Sequence, residues 1–136
     1  MKIALVTDAW RPQINGVVTT LTQTSTALQS LGTIPVMLTP DGLPTVPCPT
    51  YPEIRLALFQ GRRVRHWLQE VQPDAVHIAT EGPLGFAARH ACRQLGWRFT
   101  TSYHTQFPQY LAARYPIPLT LTYGLLRRFH SAAERT

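Results

Sequence analysis

Cysteine, lysine and acidic side chains are all scarce in this chain, and each scarcity narrows what the protein can be. The two cysteines, Cys48 and Cys92, give neither a paired framework nor metal-ligand spacing, so both read as ordinary thiols of a reduced compartment. No His, Cys or acidic cluster has zinc spacing, and no DxD-like pair suggests a metal-dependent site, so no metal or cofactor is expected. Nor does a Ser-His-Asp or Cys-His arrangement emerge. The glycine-rich G-x-G-x-x-G loop is missing as well, which argues against a dinucleotide-dependent epimerase or reductase.

Long apolar runs are lacking too. Asp8 and Arg11 stop the opening run at Ile3–Val6, too early for an export segment. No stretch approaches the roughly 18–20 apolar residues of a membrane span. The expected location is cytoplasmic, with contact to the inner membrane surface at most. A single lysine accompanies twelve arginines and seven acids, leaving a formal net charge of +6. Such a balance favours lipid headgroups, phosphorylated ligands or nucleic acid as surroundings. Because the arginines are dispersed and the aromatics do not interleave with them, no nucleic-acid partner is expected.

What the chain does contain is an alternation of strands and helices. Ile3–Val6 is a continuously apolar strand. Asn15 can cap a helix running to about Leu31, with Val17, Val18, Leu21, Leu28 and Leu31 inward and Gly32 as terminator. Its centre, Thr19 to Thr26, is poor in helix formers. Ile34–Leu38 reads as a second strand. Residues 40–53 hold five of the twelve prolines and form an extended connection, with short strands near Val46 and at Ile54–Ala57.

Arg62–Val71 has a helical period that Pro73 closes. A strand at Ala75–Ala79 precedes a helix begun by Pro83, faced inward by Leu84, Ala87, Ala88, Ala91 and Leu95 and ended by Gly96. Arg98–Ser102 is a further strand, and Leu119–Ala133 a last helix buried through Leu121, Leu125, Leu126 and Phe129. The pattern predicts an α/β, Rossmann-like parallel sheet with helices on both faces.

Ligands of such sheets sit beyond the carboxyl ends of the strands. Three loops there hold the candidates. Asn15-Gly16 is either a plain turn and cap or a close backbone approach to a phosphate at a helix N-terminus. Asp8 is a candidate to orient a ligand hydroxyl or to cap its own loop. Glu81, with Gly82, either binds hydroxyls or favours the following helix N-terminus. His104 can donate to a ligand hydroxyl or bond to neighbouring backbone. Tyr103, Phe107 and Tyr110 line a pocket or form a satellite core. Arg62, Arg63 and Arg65, and separately Arg127 and Arg128, are candidate membrane-facing residues or a solvated helix surface. His77 reads as packed within its strand, and His90 and His130 as helix residues among arginines.

Four segments together resemble a known family. They are Ile3 to Val18, Pro47 to Phe59, His77-Ile78-Ala79-Thr80-Glu81-Gly82-Pro83-Leu84-Gly85, and Thr101-Ser102-Tyr103-His104-Thr105 with Phe107-Pro108 and Tyr110. They look like the N-terminal domain of family 4 retaining glycosyltransferases of GT-B fold. Within that family the likeness is to bacterial nucleotide-sugar-dependent alpha-mannosyltransferases and glycolipid glycosyltransferases related to sulfoquinovosyl-diacylglycerol synthase. It departs from the family in the Thr- and Ser-rich first helix and at Thr33, where a basic residue is common.

The resemblance implies that residues 1–136 are an acceptor-side domain, incomplete at its C-terminal end, with the donor-binding domain absent and the chain alone inactive. It implies transfer of a hexose, mannose or glucose, from a nucleotide diphosphate sugar to a glycolipid or glycan acceptor. It places Asn15 and Gly16 on the donor-phosphate side and His104 at the reacting sugar, with a donor phosphate acting as the base. A non-catalytic Rossmann-like fragment and a basic module binding nucleic acid or a membrane surface are the alternatives.

Overall fold

The computed structural model describes residues 1–8, 16–47, 55–102, 127–131 and 133. Nine elements follow one another: β1 (Lys2–Val6), α1 (Gly16–Ser30), β2 (Ile34–Leu38), β3 (Val46–Pro47), β4 (Arg55–Leu56), α2 (Gly61–Val71), β5 (Ala75–Ile78), α3 (Pro83–Leu95) and β6 (Thr100–Thr101). A helical turn at 127–131 closes the described chain. Four strands form one sheet in the order β2-β1-β5-β6, every neighbouring pair parallel. β3 and β4 pair antiparallel in a separate small hairpin.

Strand alternation sorts the sheet residues onto two faces. Ala4, Val6, Val76 and Ile78 join the principal core with Val64 and Leu68 of α2 and Leu84, Ala88, Ala91 and Cys92 of α3. Leu5 points the other way and is buried outside that cluster, as are Val18 and Leu21 of α1. Helices therefore cover both faces, and the parallel Rossmann-like arrangement is as expected.

Local chemistry sets the element ends. Gln72 takes a left-handed conformation and returns its N–H to Leu68 O, so α2 stops before Pro73. Pro83 opens α3, where its missing N–H costs nothing, and left-handed Gly96 closes it. In α1 the hydroxyls of Thr22 and Thr26 donate to Val18 O and Thr22 O. Such back-bonding satisfies the polar side chains of a weak helix former.

Several expectations are corrected. Leu31 is 80% exposed, because α1 ends at Ser30 and the chain turns through left-handed Gly32 before reaching the core again. The buried face of α3 runs through Gly85 and Cys92 rather than Ala87 and Leu95, which are only half-buried. β6 is confined to Thr100–Thr101, and its neighbour Arg98 is exposed. Of the last expected helix, 127–131 is described and Phe129 is buried as its period requires. Leu121, Leu125 and Leu126 lie outside the described residues.

Candidate functional site

The strand order places a topological switch between β1 and β5: the chain moves from β1 outward to β2, then returns to the other side of β1. The carboxyl ends meeting there are Thr7-Asp8 after β1 and Ala79 to Gly82 after β5, with Ser102 after β6 alongside. The rim is tightly tied. Ala79 N–H donates to Val6 O at 2.8 Å and Thr7 N–H to Leu38 O at 3.0 Å.

Asp8 is the hub of that rim. Its N–H donates to Thr80 Oγ1 at 2.8 Å, and the Thr80 hydroxyl donates back to Oδ2 at 2.7 Å. Leu84 N–H donates to Oδ1 at 2.7 Å and Gly85 N–H to Oδ2 at 3.2 Å. Asp8 thus serves α3, a helix whose own N-cap residue, Gly82, has no side chain. Burial pushes the Asp8 carboxyl above its ordinary value, against the opposing pull of Thr80, Leu84, Gly85 and Gly82.

Two glycines make this approach possible. A Cβ on Gly82 would strike the Asp8 side chain, including its Cβ at 2.8 Å. One on Gly85 would run into the Thr80 carbonyl.

Glu81 has a different partner. His130 Nε2 lies 2.9 Å from Glu81 Oε1, and His130 Nδ1 lies 2.7 Å from Thr101 Oγ1. A carboxylate only accepts, so Nε2 carries the proton shared with Glu81. The turn bearing His130 is held by Arg89, whose Nε and Nη2 donate to Phe129 O and Arg128 O, each at 3.1 Å. The Phe129 ring meets Phe86 edge-on at 4.7 Å. Burial, then Arg93 and Arg128, pull the Arg89 guanidinium below its ordinary value.

His77 occupies the other face of β6, with Nδ1 2.7 Å from Thr100 Oγ1 and Nε2 3.2 Å from Ser102 Oγ. It is packed, as its place in a strand suggests. Sequence reading assigned no individual role to Thr80 or Thr101 and read His130 only as a helix residue among arginines. Nothing in local spacing reveals them, since 29 to 72 residues separate the partners. The only hint is that His130 follows Phe129, a position the helical period buries.

Gly16 is the first residue of α1, at its N-terminus. Asn15, Tyr103, His104, Phe107 and Tyr110 lie outside the described residues. Arg62, Arg63 and Arg65 are exposed on α2, and Arg127 and Arg128 on the 127–131 turn, none in an ion pair among the described residues. Arg65 Nη1 reaches Gln94 Oε1 at 3.5 Å. Cys92 is fully buried, and its thiol is pushed up to about 11. Among the described residues no group of three His, Cys, Asp or Glu could hold a metal ion, and no helix is long and apolar enough to cross a membrane.

The chain is 28% identical over its whole length to a GDP-mannose-dependent alpha-mannosyltransferase of Mycobacterium tuberculosis, covering 41% of that protein. It is 27% identical over 82% of its length to the alpha-monoglucosyldiacylglycerol synthase of Streptococcus pneumoniae, covering 28% of that protein. A GDP-mannose-dependent alpha-mannosyltransferase of Corynebacterium glutamicum is 24% identical over the whole chain, which covers 37% of it. The chain thus spans about two fifths or less of the length of these curated relatives. Residues 14–136 match the profile of Glycosyltransferase Family 4, and the chain belongs to that family.

Proposed function

We propose that this chain forms the acceptor-side wall of a retaining hexosyltransferase. The enzyme moves mannose or glucose from a nucleotide diphosphate sugar to a hydroxyl of a glycolipid or glycan. The observation that carries the reading is the rim itself: Gly16 heads α1 while Asp8, Glu81 and Ser102 follow three adjacent parallel strands. In such a sheet this is where a ligand lies, and a helix N-terminus there favours a phosphate. The relatives' dependence on GDP-mannose and their glycolipid chemistry point the same way.

In this reading Asn15 and Gly16 face the donor diphosphate, and His104, which follows β6 in the sequence, positions and stabilises the leaving group. A donor phosphate takes the acceptor proton on the face that the acceptor attacks. Glu81, Gly82, Tyr103, Phe107 and Tyr110 hold the acceptor, and Asp8 keeps α3, the helix that follows Glu81, in place. The protein's contribution is orientation together with hydrogen-bond donors aimed at the separating charge. The test is transfer of labelled hexose from GDP-mannose or a nucleotide diphosphate glucose to a bacterial lipid extract by the full-length protein. The His104→Ala variant is expected to lose turnover far more than nucleotide affinity. A full-length protein that neither transfers nor hydrolyses either donor overturns the reading.

One further observation favours work at the cytoplasmic face of an anionic membrane. Phe59 is 99% exposed and held at φ 58°, a conformation unfavourable for a bulky residue. It stands immediately before α2, whose Arg62, Arg63 and Arg65 are exposed. An apolar side chain beside unpaired arginines suits the boundary between headgroups and acyl chains.

A further inference from the structure

Two carboxylates lie at the sheet rim among the described residues, and they differ in what remains unengaged. Both oxygens of Asp8 accept hydrogen bonds from α3 or Thr80. Glu81 engages only Oε1, with His130, and among the described residues its Oε2 has no hydrogen-bond partner. Yet the Glu81 side chain is only 8% exposed. A carboxylate oxygen hidden from water and without a donor among the described residues is costly, and at a ligand-binding rim a ligand can bring that donor. Such a donor is a hydroxyl or N–H group rather than a phosphate or ether oxygen, because a carboxylate can only accept and repels another anion; on a glycan or glycolipid acceptor it is a hydroxyl.

We infer that His130 is a positioning residue that, with Thr101, fixes Glu81 so that Oε2 accepts from a hydroxyl of the acceptor polyol. Three features of the geometry support this. Nε2 ties one carboxylate oxygen at 2.9 Å, which sets the rotation of the group about its own axis. Nδ1 is tied at 2.7 Å to Thr101 at the end of β6, which fixes the orientation of the ring. Arg89 and the Phe86–Phe129 contact fix the turn that carries the ring. The inference rests on the hexosyl-transfer reading for the identity of the ligand, while the role of His130 in presenting Glu81 can be measured separately.

The experiment compares full-length wild type with Glu81→Gln, His130→Leu, His130→Gln and Thr101→Val. Two readouts are taken: separate KM values for GDP-mannose and the lipid acceptor, and binding of methyl α-mannopyranoside by ligand-observed NMR. His130→Leu is expected to raise the acceptor KM and weaken the glycoside about ten-fold or more, the size of a lost charge-assisted bond. The donor KM should stay within about two-fold of wild type, since uniform damage is not expected from a positioning residue. His130→Gln retains an N–H donor in the place of Nε2 and should remain within about three-fold of wild type.

Thr101→Val removes only a hydroxyl and should give the same split at roughly three-fold, which decides the matter if His130→Leu does not fold. A protein that transfers no hexose but binds the glycoside through Glu81 and His130 rejects the transferase reading alone. Equal rises in donor and acceptor KM, a His130→Gln variant as weak as His130→Leu, or a wild type that does not bind the glycoside overturns the inference.

Discussion

Asp8 and Thr80, seventy-two residues apart in sequence, hold each other by two reciprocal hydrogen bonds: the Asp8 N–H donates to Thr80 Oγ1 at 2.8 Å, and the Thr80 hydroxyl donates to Asp8 Oδ2 at 2.7 Å. The pair joins the carboxyl ends of β1 and β5 at the switch point, while the same carboxylate receives the first free N–H groups of α3. Sheet, rim and helix are thus fastened through one side chain.

Removing that side chain strands the amides of Leu84 and Gly85. Asp8→Ala is expected to destabilise the fold by about 2–4 kcal/mol, since each orphaned buried donor costs about 1–3 kcal/mol. Thr80→Val removes both bonds between the pair, leaving the Asp8 N–H without its acceptor and Oδ2 with Gly85, so it should cost roughly 1–2 kcal/mol. Urea unfolding of both variants checks the order, and a smaller loss in Asp8→Ala than in Thr80→Val would contradict the assignment.

The same carboxyl gives the fold a pH dependence of definite sign. Burial raises the Asp8 pKa on folding, more than its hydrogen bonds lower it. The folded protein therefore binds this proton more tightly than the unfolded chain does. The resulting contribution to stability is complete below the unfolded value of about 3.9 and is lost as pH rises through the higher folded value. Asp8→Asn cannot titrate. The stability difference between wild type and Asp8→Asn should accordingly shift against the wild type as pH is raised from about 3.5 through the folded pKa, in paired denaturant titrations. A difference moving the other way would mean that the hydrogen bonds outweigh desolvation.

Gly82 and Gly85 owe their identity to close approach rather than to a left-handed conformation. Gly85→Ala sets a methyl against the Thr80 carbonyl, which is backbone and cannot swing aside. A loss of about 2 kcal/mol or more is expected. Gly82→Ala meets the Asp8 side chain instead. Its cost should fall sharply in an Asp8→Ala background, giving a coupling energy on the order of 1 kcal/mol in a double-mutant cycle. Strict additivity would show that Gly82 and Asp8 do not meet.

Architecture was legible where periodicity and terminators are local. Pro83 and Gly96 bound α3 as read, and Val64, Leu68 and Phe129 are buried as their spacing requires. The misreadings arise where tertiary geometry decides. Leu31 fits the apolar stripe of α1, yet it falls beyond the last helical residue and points to solvent. In α3 a one-position rotation replaces Ala87 and Leu95 with Gly85 and Cys92, because the glycine lets the helix settle on Thr80. The candidate site was half legible: polar residues after strands mark the rim, but their pairing is set by strand order. Nothing in the sequence near Glu81 indicates that His130 is its partner, and nothing near Asp8 indicates α3.

Phe59 and the arginines of α2 make separable contributions to a membrane contact. Electrostatic attraction to anionic headgroups is worth about 1 kcal/mol per arginine near the surface, so replacing Arg62, Arg63 and Arg65 together by Gln should weaken binding to phosphatidylglycerol-containing vesicles by about a hundred-fold. Binding to neutral phosphatidylcholine vesicles should barely change, and added salt should reproduce the loss in the wild type. Phe59→Ser removes apolar burial instead, and should weaken binding to both vesicle types by about ten-fold with an unaltered salt dependence. Because Phe59 is fully exposed at an unfavourable φ, its replacement should leave stability unchanged or slightly improved. Co-sedimentation and thermal unfolding of the same samples measure both effects. If the wild type does not sediment with anionic vesicles, the arginines of α2 are a solvated surface and Phe59 serves another contact.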